Sequence, residues 1–235
     1  MEKFEVRFIE LLKEHNIELI DKQIKQFKKY ADLLIEWNEK MNLTAIKDYD
    51  GIYEKHFYDC LLASFEFKYA GNLCDVGAGA GFPSIVLKIV YPELNVTIVE
   101  PLNKRCTFLK MLVNSLELDN VEIVNERSED FAKVKRESFD IVTARAVANL
   151  NMLSELCIPL VKVGGYFIAM KGSNGNEEAN EAKGAIKLLG CVNEAALVQG
   201  YGDNTRINLI YKKVTATPSK YPRMFAKIKK NPLRG

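Results

Sequence analysis

Hydrophobic positions follow one spacing in the first third of the chain and another in the rest. Phe4, Phe8, Leu11 and Leu12 recur at three- and four-residue steps, and Ile20, Ile24, Phe27, Ala31 and Leu34 do so more cleanly. That spacing lines one face of a helix, so helices are predicted over the first stretch and from Asp21 to Lys40. A third amphipathic stretch runs from Ile52 to Phe65. No strand-like run interrupts them. Residues 1–70 therefore read as a helical region, with Ala70-Gly71-Asn72 as its boundary.

From residue 71 to 213 short apolar runs alternate with helical stretches. Strands are predicted at Leu73–Val76, Val96–Val99, Val121–Val124, Phe139–Thr143, Gly165–Met170, Glu194–Val198 and Ile207–Lys212. Helices are predicted at Phe82–Val90, Lys104–Leu116, Asn149–Leu160 and Glu177–Leu189. This order implies an α/β fold, a mostly parallel sheet covered on both faces. The last two strands follow one another directly, which predicts a hairpin with one antiparallel strand slotted in near the edge. The tail, 214–235, holds Pro218, Pro222 and Pro232 and is expected to be irregular.

The first strand runs into DVGAGAGFP, residues 75–83, with Gly77, Gly79 and Gly81 on alternate positions. In a doubly wound sheet ligands bind at the carboxyl ends of the strands, and the first strand–helix turn is such a place. Glycines there allow backbone angles closed to other residues and let a ligand approach the main chain. A phosphate loop would need a lysine, and the next one is Lys88. The spacing is also not the G-x-x-x-x-G-K-[ST] or G-x-G-x-x-G of nucleotide sites. The tighter G-x-G-x-G preceded by Asp75 is the pattern of S-adenosylmethionine sites.

Other strand ends agree. The second strand ends in Glu100, 23 residues beyond Gly77. A carboxylate there can accept from both hydroxyls of a ribose. The third strand leads into ERSEDF, where Glu129 or Asp130 can accept from an adenine amino group. The fourth ends in TARAV and places Arg145 over the site.

Charge sharpens the picture at one end only. The chain nets +2, yet Lys212 to Gly235 carries eight Lys or Arg and no acid, so the remainder nets −6. Such a tail suits RNA phosphates, with Tyr201, Tyr211, Tyr221 and Phe225 nearby for stacking. The five cysteines, Cys60, Cys74, Cys106, Cys157 and Cys191, form neither a zinc pattern nor a disulfide framework, and Cys74 and Cys157 read as core. MEKFEVRFIE has no apolar signal core, and no apolar run approaches membrane-spanning length. A cytoplasmic, monomeric protein without a membrane partner is expected. Trp37 reads as packing the N-terminal helices to the core, and His56 as structural.

At WNEKMNLTAI (37–46), HFYDCLL (56–62), DVGAGAGFPSIVL, NKRCTFL, ERSEDF, TARAVANL and KYPR (220–223), the chain resembles the bacterial ribosomal RNA small subunit methyltransferase G family, also called glucose-inhibited division protein B. The resemblance implies a Rossmann-like class I methyltransferase with a seven-stranded sheet. It also implies S-adenosylmethionine as cofactor, and 16S rRNA or the small ribosomal subunit as partner. The expected reaction is methylation of N7 of one guanine in the decoding-region loop. By the same resemblance Gly77, Phe82, Ser128, Glu129 and Arg145 match cofactor contacts, beside Gly79 and Glu100 from the spacing above. The chain departs from the common pattern at Ser128, at Cys60 and at MFAKIKK after the Y-P-R. Guanine N7 carries a lone pair and no proton, so no residue is assigned as catalyst and no metal is expected. A small-molecule methyltransferase of the same fold is the alternative.

Overall fold

A computed structural model of the protein describes residues 1–201 and 204–234. Seven strands form one sheet in the order β3-β2-β1-β4-β5-β7-β6. They are β1 (Asn72–Val76), β2 (Asn95–Val99), β3 (Val121–Val124), β4 (Phe139–Arg145), β5 (Val161–Lys171), β6 (Cys191–Tyr201) and β7 (Asn204–Lys213). The first five pair in parallel, and β7 runs antiparallel between β5 and β6. Every predicted strand is present, and the closing hairpin inserts its antiparallel strand as expected.

The strand order reverses between β2 and β4 on either side of β1. The crevice at the carboxyl end of β1 is thereby the place for a ligand. Helices α1 (Lys3–Glu14) and α2 (Asp21–Met41) lie on one face of the sheet, with α5 (Ser84–Val90) and α6 (Asn103–Ser115). Phe8, Phe27, Tyr30 and Leu34 are buried in the same apolar cluster as Leu73, Ile98 and Ile168 of the sheet. Trp37 packs on Phe108 of α6, as expected. Helix α2 is also laced down by polar bonds. Gln23 Nε2 donates to Ile89 O, Gln26 Nε2 donates to Leu116 O, and Tyr30 Oη donates to Ala80 O inside the glycine loop at 2.6 Å. Carbonyls at helix ends lack intrahelical partners, and two of these bonds supply them.

The opposite face carries α7 (Ser128–Val134), α8 (Leu150–Cys157), α9 (Gly175–Glu181), α10 (Lys183–Leu188) and α11 (Phe225–Lys230). Helix α7 falls in a stretch too short and too polar to show a helical stripe. The single helix expected over Glu177–Leu189 is two, α9 and α10.

One expectation is corrected and one is refined. The run expected as one helix over Ile52–Phe65 is continuous but not uniform. It comprises α3 (Tyr49–Ile52), a π-helical turn Tyr53–Tyr58, α4 (Asp59–Leu61) and a 3-10 turn Leu62–Phe65. The tail is irregular outside the short helix α11, as expected, but it is docked and not loose. Arg223 forks onto the fully buried Glu155, with Nε to Oε1 at 2.9 Å and Nη2 to Oε2 at 2.6 Å. Arg136 donates to the carbonyls of Thr217, Pro218 and Tyr221, and Ile228 is buried. These anchors are side chains far away in sequence, which periodicity within the tail does not reveal. Tyr211 and Tyr221 are buried and present no stacking surface, and the side chain of Tyr201 lies outside the described residues. All five cysteines are free and buried, Cys74 and Cys157 in the core as expected. Among the described residues no helix is long and apolar enough to cross a membrane.

Candidate active site

The glycine loop joins β1 to α5. Gly77 has φ +73°, and a Cβ on it would stand 2.9 Å from Val147 Cγ2. Gly79 has φ +60° and the opposite surroundings: a Cβ there would meet nothing within 4 Å. Gly77 is bare so that Val147 can pack on it. Gly79 presents an uncovered main chain.

Glu100 follows β2 and is 1% exposed. Its Oε2 accepts from the Gly79 N–H at 3.2 Å and its Oε1 from the Leu102 N–H at 3.0 Å. The acid and the glycine predicted from spacing are therefore in contact. Asp75, at the end of β1, is fully buried; Oδ2 accepts from the Ser84 N–H at 3.1 Å and Oδ1 has no partner. Burial pushes its carboxyl up to about 7, against the opposing pull of Ser84.

Helix α7 begins at Ser128, just beyond β3, and sorts the two acids that the sequence left open. Glu129 is buried, and burial raises its pKa. Asp130 turns outward to Lys133 at 2.6 Å. Phe82 is buried under a stack of polar groups: the His56 ring lies 4.5 Å away and the Arg145 guanidinium 4.8 Å from its ring.

Arg145 closes β4. Its Nη1 donates to Asp59 Oδ2 at 2.8 Å, and Nη2 lies 3.0 Å from His56 Nδ1. His56 Nε2 is 2.7 Å from Thr44 Oγ1, so both ring nitrogens are engaged. Burial first and Arg145 second lower the imidazole pKa to about 3. Asp59 also takes Arg206 Nε on its other oxygen. The π-helical turn and α4, which follows it directly, thus send His56 and Asp59 to the same guanidinium.

These groups border a cavity of about 610 Å³. Its wall includes His56 and Asp59 from the helical region, Arg145 from the end of β4, Val147 just beyond it, and Lys171 from β5. Arg206 and Asn208 of β7 and Glu178 of α9 complete it. Of the site residues expected from sequence, Arg145 lines this cavity, while Gly77, Gly79, Phe82, Glu100, Ser128 and Glu129 do not. The two regions meet at Val147, which belongs to the cavity wall and packs on Gly77. Asp59, Lys171, Glu178 and Arg206 were missed from the sequence. They come from four separate elements, and the one local signal was the i, i+3 spacing of His56 and Asp59.

The rRNA small subunit methyltransferase G family matches this chain over residues 23–207. The chain belongs to that family. Ribosomal RNA small subunit methyltransferase G of Lysinibacillus sphaericus is 52% identical over 98% of this chain and 99% of its own length. The protein of the same name from Staphylococcus carnosus is 54% identical over 96% of this chain and 97% of its own. Among solved structures, M. jannaschii TYW2 in complex with AdoMet superposes with a TM-score of 0.55 at 14% identity, over 72% of this chain and 80% of that one. A mutant of MtNAS gives 0.56 at 14% identity, over 81% and 75%. The last two share the Rossmann-like fold of this family member.

Proposed function

We propose that this family member transfers the methyl group of S-adenosylmethionine to N7 of a guanine in 16S rRNA. The observation that carries the cofactor assignment is the contact between Glu100 and the uncovered main chain of Gly79. The residues present fit that cofactor. Glu100 keeps lone pairs for a ribose diol, the buried Glu129 for an adenine amino group, and the face of Gly79 is free for close approach. Gly77, Phe82, Ser128 and Arg145 complete the proposed contact set.

The bound cofactor supplies a methyl on a cationic sulfur; the N7 lone pair forms the new N–C bond, the C–S pair returns to sulfur, and no proton leaves. The groups nearest Arg145 are committed elsewhere, as suits a transfer that needs no base. His56 is neutral with both nitrogens engaged, and Asp59 is held by two arginines. What they supply is a rigid wall, and orientation of reactants alone is worth many orders of magnitude in rate.

The test is transfer of label from methyl-labelled S-adenosylmethionine to small subunits lacking the modification, followed by mapping of the nucleotide. Label on one guanine N7 is expected. Gly79→Asp, which fills the uncovered face and adds charge, is expected to lose both cofactor binding and label. Cofactor binding with no labelled RNA would redirect the reading to a small-molecule acceptor.

A further inference from the structure

Part of the cavity wall is not accounted for by the cofactor contacts. Lys171 ends β5 with its ammonium buried, and Nζ donates to Ala148 O at 2.7 Å and to Glu178 Oε2 at 2.7 Å. An ammonium has three N–H donors, so one remains. Glu178 Oε2 also accepts from the Leu150 N–H at 2.7 Å. Its Oε1 accepts nothing among the described residues. The cavity therefore offers a spare N–H donor and a spare carboxylate oxygen side by side on one ion pair.

The pair is held from several directions. Leu150 N–H, at the start of α8, anchors the carboxylate, and Ala148 O anchors the ammonium. Helix α9 brings Glu178 there because its first residue is glycine: a Cβ on Gly175 would stand 2.8 Å from Ile207 Cβ and 3.0 Å from Lys171 Cβ. Any larger residue would push α9 off the sheet.

A donor beside an acceptor matches a ligand edge bearing an acceptor beside a donor. Guanine presents that pattern at O6 and N1–H, and adenine presents the reverse. We propose that Lys171 and Glu178 are the specificity-determining pair of this cavity, reading O6 and N1–H of the target guanine. The inference rests on the rRNA-guanine reading above. Ala148, which holds Lys171, directly follows Val147, which packs on Gly77. In this proposal O6 meets Lys171, and N7 is the neighbour of O6 on the purine edge. A directional pair of this kind, with Lys171 buried and Glu178 half-buried, rejects an analogue that leaves it unpaired more strongly than an apolar pocket would.

The experiment uses small subunits reconstituted with 16S rRNA carrying either guanosine or 2-aminopurine riboside at the mapped position. The analogue keeps N7 and the 2-amino group, lacks O6, and has a lone pair at N1 where guanine has a proton. The wild-type enzyme is expected to prefer guanosine in kcat/KM by on the order of a hundredfold or more. In Glu178→Gln the side-chain amide can donate to the analogue's N1, so the preference is expected to shrink at least tenfold. A variant with both rates lowered and the preference intact would show a merely structural carboxylate and overturn the proposal. Equal wild-type rates on the two substrates would overturn it without any variant. Absence of wild-type label on natural subunits would instead remove the rRNA reading itself, and this inference with it.

Discussion

Asp75 and His56 sit on either side of the site and titrate in opposite senses. Burial raises Asp75 from 3.8 to about 7 in the folded chain, so between those values the folded state holds a proton that the unfolded state has released. Stability therefore falls as pH rises from 3.8 to about 7 and is level above it. Burial lowers His56 from 6.5 to about 3, so between those values the unfolded state holds the extra proton. Its contribution is present above 6.5 and is lost as pH falls toward 3. The two slopes oppose each other across the shared window from about 4 to 6.5. Asp75→Asn is expected to remove the loss on the alkaline side, leaving stability to rise with pH. His56→Gln is expected to remove the loss on the acid side. Urea unfolding midpoints at several pH values check both, and parallel curves for the two variants and the wild type would reject the assignment.

At the scale of elements, what was legible in the sequence was what depends on neighbours along the chain. All seven strands, the glycine turn and Glu100 at the end of β2 are local patterns, and each stands at the expected strand end. Beyond Arg145 the second wall of the site was not legible, because β5, β7, α9 and the π-helical turn each contribute one or two residues. Periodicity also cannot report a π turn, which keeps an amphipathic stripe while rotating it slightly. The docked tail is hidden for the same reason: Arg223 reads as one more surface cation until Glu155 is found beneath it. Removing one partner of a buried ion pair leaves a desolvated charge, a loss of about 3 kcal/mol. Arg223→Ala is therefore expected to lower the unfolding free energy by about that amount while cofactor affinity stays near the wild-type value. An unchanged urea midpoint would mean that the tail's docking adds nothing to stability.

For the whole molecule the question is where RNA can lie, and the folded tail changes the answer. Of the eight cations from Lys212 onward, Lys212 lies over the Tyr166 ring, Lys213 is buried against Glu137 and Arg223 is committed to Glu155, while Lys220, Lys227, Lys229, Lys230 and Arg234 are exposed. Three of these are on α11, which is joined to the site by Phe225 under the Arg127 guanidinium at 4.7 Å. Arg127 immediately precedes Ser128 and Glu129. A phosphate backbone gripped by α11 would therefore pass beside the cofactor contacts. Deleting the tail is a poor test, because it would uncover Ile228 and strip partners from Arg136 and Glu155. Neutralising Lys227, Lys229 and Lys230 together to Gln leaves those anchors in place. Every phosphate that no longer meets a cation should flatten the dependence of log affinity on log salt by roughly 0.7–0.9. The triple variant is expected to bind subunits more weakly at low salt, with a slope shallower by about 1 to 3, and to keep cofactor affinity and melting temperature. The same slope in variant and wild type would place the RNA on another face, and the basic helix would then serve only to keep that surface soluble.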